Sequence, residues 1–454
     1  MAQSTTYLSK TYSGNGNRNK GTISVWCKFA DTDASADSTI FGSGNISNDS
    51  DCTFLCINPN GFGGTSTRKI SFIIRVGGGT VYRAESNALL RDINGWYHIV
   101  VRWDTTLGTP NCDIYLNGEE VSYSSNTWSS ISQNTNTYIG SSAHPHYIGR
   151  GAYCDAMKNN YYEGSMSHFH YCDGYYYDAS SFGSTDSTTG EWKINTSPSV
   201  SYGTNGFWFF KDDNALTDHS PNSNSYSLTA GTLTKTEDCP SNVFATLNAL
   251  DNYYASSTFS HGNTSVVFND ANECFNYSTL GMSSGKFYFE GKQISRGSGS
   301  NERNYFGVTY SPPDASTDWL GNNNYSWGYR GDGKVYNSGQ LQATYSSFTN
   351  GDIIGVALDV TNSKLYFSKN GVWQNSADPA NGTNGLSVNA GKTYFFAIGE
   401  TTSTSGVESC VNFGNGYFKT TAVSSAGTNA SGIGIFEYDV PTGFTALSTK
   451  GLNE

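Results

Sequence analysis

Residues 350–373, NGDIIGVALDVTNSKLYFSKNGVW, read as two β-strands and two tight turns. Ile354, Val356, Leu358 and Val360 recur at every second position, so on a strand they share one face. Asn362-Ser363 breaks the run, and Leu365 and Phe367 resume it. Asn370-Gly371 supplies the two positive-φ residues that a type I′ hairpin turn requires.

The same period recurs along the chain. In TISVWCKF, Ile23, Val25, Cys27 and Phe29 fall on one face. In WYHIVVRW, Tyr97, Ile99, Val101 and Trp103 lie opposite His98 and Arg102. CDIYLNGEEV is a hairpin with Ile114 and Leu116 inward and Asn117-Gly118 at the turn. Composition agrees: there are 51 Gly, 31 Tyr and 25 Phe, and charged residues are 14% of the chain, against about 25% in a typical globular protein. Long amphipathic helices would need more Glu, Lys, Leu and Ala. Trp26, Trp96, Trp103, Trp208, Trp327 and Trp373 stand among apolar neighbours and are expected in the core.

Bulk properties exclude several partners. The net charge is −12 and no basic run exceeds a couple of residues, which argues against nucleic acid. The opening MAQSTTYLSK has no apolar core, so no secretory signal is expected. No apolar run approaches the roughly 18 residues of a membrane helix, so no membrane insertion is expected. The nine cysteines form no C-x-x-C pair, and reduced, mostly buried thiols are expected.

These motifs carry family resemblances. G-D-x-I-G-x-x-x-D followed by x-L-x-F-x-K-N-G resembles the central strands of SPRY domains, which are binding sandwiches. GKFYFE (285–290), NYFGV (304–308), SWGYR (326–330), TYFFAI (393–398) and VNFG (411–414) fall in SPRY order, so the resemblance covers about 245–420. The W-x-H-x-x-x-x-x-D strand at Trp96 and the I-Y-x-N-G hairpin resemble laminin-G/concanavalin-like jelly rolls over roughly residues 5–180. YLSKTYSGNGNRNKGTISVW, GSMSHFHYCDGYYYDASSFGSTDSTTGEWKI and the tail IFEYDVPTGFTAL resemble segments of tailed-phage structural proteins.

Motifs for catalysis are weak. Gly281-Met282-Ser283-Ser284-Gly285 fits G-x-S-x-G, but a strand rather than a helix is expected after it. His144/His146 and His168/His170 are His-x-His pairs that could offer two imidazoles each to zinc, with Cys154 and Cys172 nearby. Flanking polar residues on a half-exposed strand need no metal, so none is assigned. The hydrolase pattern E-x-D-x-x-E is approached only at Glu437-Tyr438-Asp439, where Thr442 replaces the last Glu. Glu119 and Glu120 alternate faces and cannot act together. No catalytic residue and no enzyme activity is expected. Calcium is the one cofactor left open, because laminin-G sandwiches often hold it at a rim; Asp104, Asp113 and Asp155 are the candidates.

The binding site is expected in the polar loop SPPDASTDWLGNNNYS, because SPRY domains bind through loops at one sandwich edge. Asp318, Trp319, Asn322, Asn323, Asn324 and Tyr325 are its residues, with Trp319 as a stacking platform. The expected fold is all-β, two antiparallel β-sandwiches: 1–217 laminin-G-like, 218–242 linker, 243–425 SPRY-like, 426–454 extension. The resemblances imply a non-enzymatic virion protein of a tailed phage, made in the host cytoplasm and expected as a homo-oligomer. It would be a decoration or knob on capsid or tail rather than a whole fibre. Its partners would be other virion proteins or a host-surface glycan. A carbohydrate-active enzyme or lectin of jelly-roll type is the alternative, and a cellular SPRY adaptor is a third.

Overall fold

β-Strands supply nearly all the regular structure in the computed structural model. It describes residues 5–29, 38–44, 51–57, 68–77, 80–92, 95–151, 160–211, 216–251, 257–269, 273–297, 304–401 and 406–453. The chain divides into two units, 1–235 and 236–454.

The first unit contains, in order, β1 (Tyr7–Lys10), β2 (Lys20–Phe29), β3 (Ser38–Gly44), β4 (Cys52–Ile57), β5 (Lys69–Val76), β6 (Thr80–Leu89), β7 (Tyr97–Asp104), β8 (Asn111–Leu116), β9 (Glu119–Glu120), β10 (Tyr123–Asn126), β11 (His146–Ile148), β12 (Gly164–Asp173), β13 (Gly183–Thr185), β14 (Trp192–Ile194), β15 (Phe207–Phe209) and β16 (Ser227–Ala230). One sheet runs β10-β6-β5-β4-β3-β11-β1-β16 and the other β15-β12-β2-β7-β8-β9. Ile23, Val25, Cys27, Ile99, Val101 and Trp103 from the second meet Phe41, Leu55, Phe72 and Ile74 from the first in one core. The alternation in the sequence thus points inward as expected. Asn117 (φ 48°) and Gly118 (φ 87°) make the positive-φ turn between β8 and β9.

The outer face of the second sheet is covered too. Val100, Cys172 and Trp208 pack against Ala179, Phe182 and Tyr202 from the segment after β12. Trp192 on β14 joins them, and its indole N–H donates to Nδ1 of His98 at 2.9 Å. The half-exposed strand expected around His168 and His170 is therefore buried on both sides: the two histidines are 7% and 1% exposed.

The second unit contains β17 (Ser257–Ser260), β18 (Ser265–Phe268), β19 (Cys274–Tyr277), β20 (Lys286–Arg296), β21 (Asn304–Thr309), β22 (Ser326–Arg330), β23 (Lys334–Asn337), β24 (Gln340–Thr344), β25 (Ile353–Asp359), β26 (Lys364–Lys369), β27 (Val372–Trp373), β28 (Leu386–Ser387), β29 (Phe395–Glu400), β30 (Val407–Asn412), β31 (Tyr417–Phe418), β32 (Thr421–Ala422) and β33 (Thr445–Ala446). One sheet runs β17-β18-β30-β20-β25-β26-β27 and the other β19-β29-β21-β22-β23-β24. Ile354, Val356 and Leu358 are 0% exposed and meet Phe306, Val308 and Phe396 from the facing sheet. Burying side chains of this size stabilises by about 1.5–3 kcal/mol each. Asn370 (φ 47°) and Gly371 (φ 80°) form the expected turn.

Two expected boundaries move. The 218–242 linker is in part a strand: β16 pairs with β1, with Leu228 opposite Leu8. Asp218, 9% exposed, accepts the backbone N–H groups of Trp208, Ser220 and Asn224. The 426–454 extension belongs to the second unit. β33 pairs in parallel with β20, and Ile433, Phe436, Val440 and Phe444 cover Tyr288, Ala357 and Tyr366 on the sheet's outer face.

The cysteine expectation needs correction at one described residue. Cys52 is disulfide-bonded. Cys27, Cys56, Cys112, Cys172 and Cys410 are buried thiols outside any disulfide, and Cys239 is a half-buried one. Burial pushes the Cys27 and Cys410 thiols up to about 12, so they are inert. Of the six tryptophans expected in the core, Trp26, Trp103, Trp208 and Trp327 are buried, whereas Trp96 and Trp373 are half-buried.

Candidate functional site

The loop between β21 and β22 is a knot of side chains. Asp318, 1% exposed, accepts the N–H of Asp314 at 3.2 Å, the amide of Asn323 and the hydroxyl of Tyr325. Burial raises the Asp318 carboxyl above its usual range, and those donors oppose the rise. The Asn323 amide also reaches the Tyr325 hydroxyl at 2.8 Å. Gly321 turns the chain at φ 105°, where Ser326 Oγ accepts its N–H at 2.8 Å.

Trp319 does not stand free as a platform. It is half-buried, stacked on Tyr305 at 5.5 Å and meeting Tyr336 edge-on at 5.3 Å. Tyr325 is 9% exposed. Asp318, Trp319 and Tyr325 therefore shape the loop from within. The residues that face outward are Asn324, exposed, and Asn322 and Asn323, half-buried. The Asn324 carbonyl accepts from the Asn389 amide at 3.3 Å, which ties the loop to the chain before β29. Reasoning from the sequence missed Tyr305, Tyr336 and Arg330, which stands 4.8 Å over the Tyr336 ring while paired with Asp332. Alternation in NYFGV could have flagged Tyr305.

The other sequence candidates are committed to structure. Ser283 lies in an exposed bend that runs into β20, so the strand–turn–helix of a nucleophile elbow is not built there. The Glu437 carboxylate binds the N–H and hydroxyl of Ser424, and that of Asp439 binds the N–H and hydroxyl of Thr428. Glu119 and Glu120 are exposed on successive residues of β9. Nε2 of His146 accepts the N–H of Gly140 at 2.8 Å, whereas His144 is half-buried against Tyr138. Nδ1 of His170 bonds the Tyr202 hydroxyl at 2.9 Å, and Nδ1 of His168 bonds Ser167 Oγ at 2.8 Å. Among the described residues no group of three or more His, Cys, Asp or Glu is arranged to hold a metal ion. Asp104 pairs with Lys20 at 2.7 Å and Asp113 with Arg102 at 2.8 Å. Cys154 and Asp155 lie outside the described residues. No helix among the described residues is long and apolar enough to cross a membrane.

Comparison with known proteins matches both halves. Residues 3–174 fit the family model described as the concanavalin A-like lectin/glucanases superfamily, and residues 286–392 fit the SPRY domain. The chain carries a concanavalin A-like domain followed by a SPRY domain. Over 99 residues it is 36% identical to the dual specificity protein kinase splA of Dictyostelium discoideum, which takes in 21% of this chain and spans only 4% of that relative. Among solved structures, the SPRY domain of human HERC1 is similar at 22% identity, covering 36% of this chain and 95% of that one, with a TM-score of 0.30. The native heptameric SAP-like pentraxin of Limulus polyphemus is similar at 13% identity over 38% of this chain and 71% of that one, with a TM-score of 0.26. The concanavalin A-like and SPRY domains suggest a binding or adhesion function.

Proposed function

We propose that this chain is a non-catalytic adhesion component of a tailed-phage virion, a decoration, knob or fibre on capsid or tail. It holds a host-surface glycan or neighbouring virion proteins through the loops at the rims of its sandwiches. The observation that carries the reading is the pairing of two binding-type domains in one chain. Resemblance of the opening, middle and tail segments to phage structural proteins supplies the virion part. The absence of a hydrolytic role is supported by the commitments of Glu437 to Ser424 and of Asp439 to Thr428.

Synthesis in the host cytoplasm and a disulfide at Cys52 are compatible, because a particle leaves the reducing cytosol on release. Homo-oligomerisation is part of the proposal and is read by native mass spectrometry. The enzyme alternative predicts release of reducing ends from mixed polysaccharides, and the binding reading predicts none. The deciding experiment is mass spectrometry of purified virions. The chain is expected in the particle in fixed copy number, and its absence overturns the virion reading.

A further inference from the structure

The loop joining β1 to β2 has the sequence SGNGNRN from Ser13 to Asn19. Two buried side chains hold it in one shape. Asp173, 3% exposed, accepts the N–H of Asn17 at 2.7 Å together with those of Thr204 and Asn205. Asn205, 4% exposed, donates its amide to the carbonyls of Gly14 at 2.9 Å and Gly140 at 3.0 Å. Gly16 leaves no room for a side chain: a Cβ there would stand 2.2 Å from an Asp173 carboxylate oxygen. The backbone is thus preorganised before any ligand arrives.

Asn15, Gly16, Asn17, Arg18, Asn19 and Asn136 line an open depression of about 350 Å³ on this loop. Its polar atoms are unevenly used. Asn15 Oδ1 accepts the N–H of Ser142 at 2.8 Å, and Asn17 Oδ1 accepts those of Asn19 at 3.0 Å and Lys20 at 3.1 Å. Backbone N–H groups only donate, so these contacts fix which end of each amide is oxygen. The amide nitrogens of Asn15 and Asn17 are left without a partner among the described residues. Arg18 gives Nε to the Thr137 carbonyl at 2.8 Å and lies 5.8 Å over the Tyr138 ring. Its two terminal nitrogens have no partner, and no carboxylate pairs with it among the described residues. Burial draws the guanidinium below its ordinary value, and Tyr138 opposes the shift only in part.

Free donors around an unpaired, half-buried guanidinium match one ligand chemistry closely. A sugar carboxylate takes the two parallel N–H bonds of an arginine fork, and sugar hydroxyl oxygens accept from amides. With a net charge of −12 the chain does not attract anions at long range, so recognition here is local. We propose that this depression binds an acidic saccharide, with Arg18 on the sugar carboxylate and the Asn15 and Asn17 amides on its hydroxyls. The proposal rests on the adhesion reading and gives it a site in the concanavalin A-like domain.

Isothermal titration of the full chain with trigalacturonic acid, 3′-sialyllactose and lactose tests it. At least one acidic probe is expected to bind about tenfold or more tighter than lactose, a difference of about 1.4 kcal/mol. Arg18→Gln and Asn136→Asp should each weaken that binding by about tenfold or more. Asn136 is exposed, so N136D places a repelling carboxylate in the depression without touching the Thr137 contact, and it carries the test alone if R18Q fails to fold. Acidic probes that bind no better than lactose, or that bind N136D as well as the parent, overturn the site. Inorganic sulfate displacing the acidic probe at equal affinity also overturns it, since the sugar would then contribute nothing. A chain present in virions that binds neither acidic probe sinks this site and leaves the adhesion reading standing. A chain absent from virions sinks the virion reading whatever the titrations give.

Discussion

The carboxylate of Glu290 on β20 accepts the backbone N–H of Tyr438 at 2.8 Å and that of Glu437 at 2.9 Å. It also accepts the Tyr288 hydroxyl at 3.2 Å and the Asn412 amide at 3.3 Å, and it is 0% exposed. One buried carboxylate thus fastens the tail across the outer sheet face. Burial pushes it up to about 7, while the four donors hold it down. The native state therefore keeps a proton that the unfolded chain releases above its ordinary 4.5.

Stability of the SPRY unit should accordingly be fullest below pH 4.5 and fall as pH rises through about 7, by roughly 3 kcal/mol from this group. Glu290→Gln should abolish that slope and lower stability throughout, since an amide cannot accept from four donors. Urea titration read by hydrogen-exchange mass spectrometry gives each unit its own midpoint. An unchanged slope in E290Q would refute the assignment.

The first unit should respond to pH in the opposite sense. Burial holds His98 and His146 down to about 3 and His170 well below its ordinary value. Each is neutral in the native state and charges on unfolding. Their contribution is present above the ordinary 6.5 and is lost as pH falls towards about 3. Trp192→Phe removes the donor to His98 and should cost about 1 kcal/mol without changing that trend. A first-unit midpoint that is flat from pH 7 to pH 4 would contradict this.

In the 311–326 loop, stability and recognition should separate. Trp319→Ala removes the contacts with Tyr305 and Tyr336 and should cost about 2–3 kcal/mol, less than the roughly 3–5 kcal/mol usual for a buried aromatic because the ring is half-exposed. Asn324→Ala, at an exposed position, should change stability by less than about 0.5 kcal/mol. If the loop is a contact surface, N324A weakens partner capture at unchanged melting temperature; equal capture removes Asn324 from it.

Calcium should leave the first unit's melting temperature unchanged if Asp104 and Asp113 are its only rim candidates. Burial raises the Asp104 carboxyl, but Lys20 and Thr106 together hold it below its ordinary value, so a cation already sits there. Arg102 pairs with Asp113 at 2.8 Å, so that carboxylate also has its cation. A melting shift of several degrees with added calcium, reversed by chelator, would require a site outside these pairs.

Inward faces were legible because period two is direct. Ile23, Val25, Ile99, Val101, Ile354, Val356 and Leu358 all point where alternation places them. Turns at Asn117-Gly118 and Asn370-Gly371 were equally plain, since few other residues tolerate positive φ. The outer layers were not legible. Alternation assigns one face to the core and says nothing of what later chain lies on the other. A signal existed in FWFF at 207–210 and FYFE at 287–290, where apolar residues occupy both faces. The candidate loop was located by its polarity, but Trp319 was misjudged because its partners Tyr305 and Tyr336 come from neighbouring strands. Glu290 went unnoticed because two of its four donors are backbone groups from the distant tail.

The cover that Phe436, Val440 and Phe444 place over Tyr288, Ala357 and Tyr366 has a practical side. A recombinant fragment stopped at residue 425 would bare an oily wall to water and leave Glu290 stranded in it. Such a piece should precipitate or clump during preparation. A fragment starting near Thr236 and running through Asn453 keeps the wall dry.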